Sequence, residues 1–379
     1  CALACLACAG SAAVEKKKKL VHEVLARLLL TLDTRAAYKT GPRMCIPSSG
    51  HDRFRSSLPK QTNFPIYHSL CEDLPMVGLG TADYTDWHAM STAVNVAFHN
   101  GIRLVDTAQN YGTMKGIQRG LWREGGEAHS QMFIICKVDL ATTDFENTEE
   151  RMRRQVWASI KKLNVRWLDA AVIHWPICLD APASQKEQAM VRRRAWTALE
   201  QLVIERRIDH LGVSNWTPEL LDELSSYARI QPSLNQVEFS PLCYQRELLE
   251  DCSRRNMAVV GYSPFGQCWL SKFHPDFVPW GPTDLTATEV VRRISEEVGC
   301  TPGQVLLRWA LQHGVAVIPK TERPQRVREA RRCVDGGFKL NKEQMALLDA
   351  LRDERRGVEA SIEAHSRVIA SPTYEWTPT

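Results

Sequence analysis

The chain has 379 residues, of which 44% are hydrophobic and 24% are charged, a balance typical of globular proteins and not of fibrous or disordered ones. Its net charge of +4 arises in residues 1–60, which carry +7, so the remainder carries −3 and lacks the basic excess of a nucleic-acid-binding protein. Twelve cysteines are too few for a disulfide scaffold, and the Cys5–Cys8 pair lacks the further ligands of a zinc site. No run reaches the ~18 apolar residues of a membrane span. We therefore expect no nucleic-acid partner, no membrane span and no metal.

Residues 1–65 form a predicted N-terminal extension. A short apolar run and four lysines precede an amphipathic segment, whose apolar residues at helical spacing are Val21, Val24, Leu25, Leu28, Leu29 and Leu32. A basic, acid-poor helix of this kind is compatible with a transit segment for a plastid or mitochondrion. We predict a cytoplasmic protein, with the organelle as the alternative. The leader of a cytoplasmic protein is then an unstructured or untranslated segment, and Met44 is the candidate start.

From Met76 onward, short β-rich runs alternate with amphipathic helical segments. The eight predicted strands begin at Met76, Arg103, Met132, Leu168, His210, Ser233, Ala258 and Val315. Alternation of this kind predicts βαβ units with a parallel sheet, and eight units favour an α/β fold of the (β/α)8 TIM-barrel type over residues 66–356. A hairpin at 66–75 and an additional C-terminal helix at 341–355 flank the eight units, and a tail follows at 357–379. A Rossmann domain fits less well, because no G-x-G-x-x-G follows a strand.

Polar and ionisable residues recur where the predicted strands end, the edge at which barrels build their active sites. Asp106 and Tyr111 follow the second strand, Lys137 ends the third and His174 ends the fourth. An ammonium group stabilises a nearby phenolate and so makes a tyrosine a better acid, while a carboxylate holds the lysine charged. A histidine can orient a carbonyl oxygen beside the tyrosine hydroxyl. These four residue types together indicate proton transfer to a carbonyl group.

Such a site has no reductant of its own, so the hydride must come from a cofactor. Cationic and hydroxyl side chains follow the eighth strand, where barrels often bind phosphate: Lys320, Thr321, Arg323, Arg326 and Arg328. Several cations suit an additional 2′-phosphate and favour NADPH over NADH. The alternative interpretation of this cluster is a solvated basic helix face.

At these residues the sequence resembles the aldo-keto reductase family from about Ile66 to Leu351. The resemblance rests on GIRLVDTAQNYG, ASIKKLNVRWLDAAVIHWP, LGVSNWTPELL, LNQVEFSPLCYQRELL, VVGYSPFG and TPGQVLLRWALQHGVAVIPKT. It implies the same barrel and a catalytic tetrad of Asp106, Tyr111, Lys137 and His174, with Tyr111 as proton donor and Trp175 as a wall of the substrate pocket. It also implies cofactor contacts by Thr81, Ser214, Asn215, Gln236, Tyr262, Ser263, Phe265, Lys320, Thr321, Arg326 and Glu329.

The sequence departs from the family pattern at three places. Gly112-Thr113 follows Tyr111 where Asn-Glu is habitual, and Ala330 replaces an asparagine that contacts adenine. Val138-Asp139 follows Lys137 where a tryptophan is often found, which predicts a more open or differently shaped substrate pocket on that side. None of these changes removes a member of the tetrad.

The sequence therefore predicts a monomeric, NADPH-dependent reductase of aldehydes or ketones, of the aldehyde reductase (alcohol dehydrogenase, NADP+) type, with a small carbonyl compound as its substrate. The alternatives are a non-catalytic NADPH-binding barrel that acts as a sensor or auxiliary subunit, and the product of a degraded gene. The sequence does not name the substrate. Specificity is expected to lie in the loop after His174, in residues 267–285 and in the tail at 357–379.

Overall fold

A computed structural model describes residues 74–82, 84, 86–122, 128–141, 145–178, 183–266, 284–321, 323–334, 337–352 and 362–363. The predicted extension at 1–65 lies outside the described residues. So do most of the predicted hairpin at 66–75, most of the tail at 357–379 and the loop at 267–283. The described part contains the eight units on which the barrel prediction depends.

Eight parallel strands form one sheet in which each strand pairs with the next along the chain. They are β1 Gly78–Gly80, β2 Leu104–Ala108, β3 Phe133–Val138, β4 Leu168–Ile173, β5 Ile208–Ser214, β6 Leu234–Glu238, β7 Ala258–Tyr262 and β8 Ala316–Val317. The ring closes through a parallel bridge between Val77 and Val317. The Val317 N–H donates to the Met76 carbonyl at 2.9 Å and the Gly80 N–H donates to the Pro319 carbonyl at 3.1 Å. The predicted (β/α)8 barrel is confirmed.

Helices connect the strands on the outside of the barrel. Those described are α1 Trp87–His99, α2 Met114–Trp122, α3 Thr148–Leu163, α4 Gln185–Ile204, α5 Pro218–Ser225, α6 Arg246–Arg254, α7 Glu289–Val298, α8 Pro302–Gln312, α9 Pro324–Val334 and α10 Lys342–Asp349. Helices α5 and α8 begin as their Thr-Pro pairs predict, because the threonine hydroxyl accepts a backbone N–H and proline occupies the first helical position. The additional C-terminal helix is α10, which is shorter than the predicted 341–355.

The alternation of side chains along each strand divides the buried residues into two layers. One set fills the barrel interior and includes Leu104, Ile135, Val172, Leu234 and Val260. Their neighbours along the strands, among them Val105, Cys136, Ala171, Val237 and Val259, pack against the surrounding helices. The next inward-facing residue on each of these strands lies two positions further toward the carboxyl end. These residues are Asp106, Lys137, His174, Gln236 and Tyr262. Because side chains alternate along each strand, these polar side chains all point into the barrel at the same end.

The eighth strand is shorter than the sequence predicts. The run from Val315 to Thr321 pairs as a strand at Ala316–Val317 alone. Pro319 has no N–H to donate to a ladder, and a Cβ at Gly80 would lie 2.6 Å from the Ile318 carbonyl oxygen, so the two backbones approach where a side chain does not fit. Lys320 therefore lies three residues beyond the last strand residue, in a loop that leads to α9.

Candidate active site

A buried ion pair forms the floor of the barrel mouth. The Lys137 Nζ donates to both carboxylate oxygens of Asp106, at 2.6 and 2.5 Å, and to the Gln236 Oε1 at 3.1 Å. The Gln236 Nε2 donates to Asp106 at 2.8 Å, which closes a three-membered network. Only 1% of the Lys137 side chain and 4% of the Asp106 side chain are exposed. Because burial removes both charged groups from water, each depends on the other for its electrostatic stabilisation.

Tyr111 reaches this ion pair from a short 3-10 turn, Gln109–Tyr111, that follows β2 directly. Gly112 ends the turn with a φ of 69°, a conformation that glycine adopts without strain. The Lys137 Nζ lies 5.0 Å from the centroid of the Tyr111 ring. The His174 ring contacts the Tyr111 ring edge-on, with the two ring centroids 5.8 Å apart. The structure therefore brings all four predicted tetrad side chains together.

His174 is held from three directions at the end of β4. Its backbone N–H donates to the Val138 carbonyl at 2.9 Å, and its own carbonyl accepts from the Asn215 side chain at 3.1 Å. Its Nδ1 lies 2.9 Å from the Asp139 Oδ1. We did not predict Asp139 as a site residue. The sequence signal was the replacement of a tryptophan two residues after Lys137, and we interpreted it only as a change in the shape of the pocket.

Four of the predicted cofactor contacts, Ser214, Asn215, Gln236 and Tyr262, lie at the carboxyl ends of β5, β6 and β7. The Tyr262 hydroxyl donates to the Asn215 Oδ1 at 2.9 Å, and the Ser214 hydroxyl donates to the Gln236 carbonyl at 2.8 Å. Asn215 and Ser263 have φ values of 63° and 50°, in the left-handed region that non-glycine residues rarely adopt. Such strained positions cluster at functional sites, where the surrounding structure holds them. These residues therefore form a shaped polar rim beside the tetrad.

The predicted phosphate contacts surround the start of α9. Lys320 and Arg326 are exposed, and the Thr321 hydroxyl accepts the Arg323 N–H at 3.1 Å just before the helix begins. Within the described part of the chain, neither Arg323 nor Arg326 has an ion-pair partner. A helix N-terminus with uncommitted guanidinium groups has the chemistry of a phosphate site. The donor set therefore fits the 2′-phosphate of NADPH.

The remaining predicted residues lie at varied depths. Trp175 is 4% exposed, with its ring 6.3 Å from that of His174. Phe265 is half-buried, and the Glu329 carboxylate accepts from the Gln325 amide at 3.0 Å. Thr81 is completely buried and donates to the Asp106 carbonyl at 2.8 Å. The structure thus places Thr81 behind Asp106 and brings Trp175 next to His174.

Comparison with known proteins agrees with this geometry. The sequence model of the Aldo/keto reductase family matches residues 76–353. The chain belongs to this family. It is 33% identical to a glyoxal reductase of Bacillus subtilis over 75% of this chain and 92% of the relative. It is 31% identical to an NADPH-dependent D-xylose reductase of Meyerozyma guilliermondii over 75% and 93%. The fold matches an NADP-bound Bombyx mori aldo-keto reductase with a TM-score of 0.63 at 24% identity, covering 74% of this chain and 89% of that structure.

A cluster of three buried threonines, which the sequence did not predict, lies next to the turn that carries Tyr111 in this aldo/keto reductase. The Thr113 hydroxyl lies 3.0 Å from that of Thr81 and 3.1 Å from that of Thr107, and all three side chains are buried. Thr113 is one of the two residues that replace the habitual Asn-Glu after the tyrosine. The replacement therefore adds a buried hydrogen-bonded contact between the turn that carries Tyr111 and strand β2.

Two other chemistries receive no support in the described part of this aldo/keto reductase. Burial raises the pKa of Cys136, the residue beside Lys137, to about 12, so its thiol is protonated at neutral pH and is not a nucleophile. The described residues contain no group of three or more histidine, cysteine or acidic side chains that could hold a metal ion. Nor does any helix among them combine the length and hydropathy needed to cross a membrane.

Proposed function

We propose that this aldo/keto reductase reduces aldehydes or ketones to alcohols with NADPH. The observation that carries the proposal is the convergence of Tyr111, His174 and the buried Lys137–Asp106 pair at the mouth of the barrel. Relatives named for the reduction of glyoxal and of D-xylose support a carbonyl substrate. We therefore place the chain in the aldehyde reductase type, with a small carbonyl compound as its substrate.

NADPH, when bound, supplies the hydride that the carbonyl carbon receives. We propose that the side chains of Asn215 and Gln236 orient the nicotinamide carboxamide and that the Tyr262 ring stacks on the nicotinamide. The cations at Lys320 and Arg326 would hold the 2′-phosphate at the start of α9. The 31% identical relative named an NADPH-dependent D-xylose reductase supports NADPH as the cofactor.

Tyr111 is the proposed proton donor to the carbonyl oxygen. As the carbon accepts the hydride, the oxygen gains negative charge and takes the phenolic proton, and the resulting phenolate is reprotonated from solvent. The Lys137 ammonium stabilises that phenolate, while Asp106 neutralises Lys137 so that the buried site has no uncompensated charge there. His174 lies edge-on to Tyr111 and would orient the same oxygen.

The test is the Tyr111→Phe variant, which removes the proton and retains the ring. We expect kcat with a generic aldehyde or glyoxal to fall at least about 100-fold, the usual contribution of a general acid, while the fluorescence titration of NADPH is unchanged. Tyr227→Phe is the matched control, because the Tyr227 hydroxyl is buried between α4 and α5, away from the site, and its loss should leave turnover unaltered. Retained activity in Tyr111→Phe would refute the mechanism. NADPH binding by the wild type without turnover of any aldehyde would instead favour a sensor.

A further inference from the structure

Asp139 is the first residue after β3 and is held there by a helix side chain. The Asp139 N–H donates to the Gln155 Oε1 at 2.9 Å, and the Gln155 Nε2 donates back to the Asp139 carbonyl at 2.9 Å. Gln155 belongs to α3, which packs against β3. The two hydrogen bonds act as a clamp on the peptide groups of Asp139, and they fix the direction in which its side chain leaves the strand.

The Asp139 carboxylate is directed at the histidine of the tetrad. Its Oδ1 lies 2.9 Å from the His174 Nδ1, and 4% of the Asp139 side chain and 12% of the His174 side chain are exposed. The backbone of His174 is held by Val138 and Asn215, which fixes the position from which its ring reaches Asp139. With Nδ1 engaged by Asp139, Nε2 is the ring nitrogen left for a substrate.

An ionised carboxylate only accepts hydrogen bonds, so the proton of this contact belongs to Nδ1. A neutral His174 then carries a lone pair on Nε2, which accepts a hydrogen bond but cannot donate one to a carbonyl oxygen. A protonated His174 donates from both nitrogens. Asp139, the partner of Nδ1 on the side away from the substrate, therefore determines the tautomer of the neutral His174 ring.

We propose that Asp139 is a positioning residue that locks neutral His174 in the Nδ1–H tautomer, so that Nε2 can donate to the substrate oxygen only when the ring is protonated. This proposal rests on the proposed function. When the ring is protonated, Nε2–H donates to the carbonyl oxygen and favours reduction. When the ring is neutral, Nε2 can only accept a hydrogen bond, such as that of an alcohol hydroxyl group, while Tyr111 remains the group that exchanges the proton with the substrate.

The charges around the ring support this division. Among the described residues, the ionisable groups that face His174 are Asp139 on Nδ1 and Tyr111 on the ring edge, with Lys137 and Asp106 behind the tyrosine. Lys137 and Asp106 cancel each other. Asp139 is therefore the charge left without a partner when His174 is neutral, and protonation of His174 restores a site of zero net charge.

The kinetic test compares Asp139→Ala with Asp139→Asn in both directions of the reaction. Profiles of kcat/KM against pH are recorded for reduction and for alcohol oxidation from about pH 6 to about pH 9. Alanine frees the neutral ring to take the Nε2–H tautomer, so the ratio of variant to wild-type reduction should be about tenfold higher at pH 9 than at pH 6. Asparagine still offers a carbonyl oxygen to Nδ1–H, so it should keep the wild-type tautomer and a ratio close to that of the wild type at both pH values.

A spectroscopic test does not need turnover. With 15N-labelled histidine, the neutral wild type should show the Nδ1–H tautomer at His174 and Asp139→Ala should show the Nε2–H tautomer, the signal being assigned with His174→Gln. Asp169→Asn is the matched control, since Asp169 lies near the amino end of β4, and it should change neither the tautomer of His174 nor the pH profile.

The same tautomer and the same pH profile in the wild type and Asp139→Ala would overturn the proposal. If alanine unfolds the chain, the Nε2–H tautomer in the neutral wild type would overturn the proposal on its own. A wild type without turnover would refute the proposed function alone, because the tautomer is measured independently.

Discussion

The Lys137–Asp106 pair gives a prediction that separates stability from catalysis. Lys137→Met keeps most of the volume of the side chain and removes the ammonium that makes two short contacts with Asp106. The carboxylate then remains buried with the Gln236 amide as its remaining partner in the network. Removing one partner of a buried ion pair typically costs about 3–5 kcal/mol, which at about 2 °C per kcal/mol corresponds to a fall in Tm of about 6–10 °C.

The double variant Asp106→Asn with Lys137→Met makes this reasoning testable. It leaves no buried charge, so its Tm in scanning calorimetry should recover most of the loss, whereas aldehyde reduction should stay as low as in the single variant. Lys161→Met, on the exposed surface of α3, is the matched control and should change neither Tm nor turnover. The reasoning is refuted if Lys137→Met alone unfolds within about 2 °C of the wild type, or if the double variant is less stable than the single one.

Two further predictions concern other parts of the barrel. Arg326→Ala should raise the KM for NADPH at least about tenfold with little change for NADH, because one charged hydrogen bond to the 2′-phosphate is lost. Arg332→Ala, at an exposed position in the last turn of α9, is the matched control and should change neither KM. Equal changes for both cofactors in Arg326→Ala would remove this role. Burial, with a smaller contribution from Asp209, raises the pKa of Asp169 to about 7. The folded chain then binds a proton between about pH 4 and pH 7 that the unfolded chain has released, so the free energy of unfolding should fall by up to about 4 kcal/mol as pH rises through this window. Asp169→Asn should flatten that slope in urea unfolding at several pH values, and an unchanged slope would contradict the assignment.

The architecture and the rim of the site follow from patterns that are local in the sequence. Leu104 and Asp106 lie on one face of a strand because side chains alternate, and parallel strands place their carboxyl ends at one mouth. The same alternation along β3 and β6 brings Lys137 and Gln236 next to Asp106. The shortness of β8 was not predictable from apolar residues alone, because it depends on how closely the Gly80 and Ile318 backbones approach each other.

The supporting contacts of the site depend on tertiary packing and could not be predicted. The alternation places Asp139 on the face of Lys137, but β3 ends at Val138 and strand geometry no longer directs the chain beyond that point. The direction of the carboxylate is set by Gln155, sixteen residues further along the chain and on a different element. Thr113 likewise gains its partners only when the turn after β2 folds back over β1.

The short eighth strand links closure of the ring to the cofactor loop. Because β8 pairs through two residues, the joint between the last strand and the first relies on backbone hydrogen bonds from Val317 to Met76 and from Gly80 to Pro319. The chain then continues within a few residues to Lys320 and the start of α9. A ligand held by those cations would also restrain the joint, so part of its binding free energy would stabilise the closed barrel against opening.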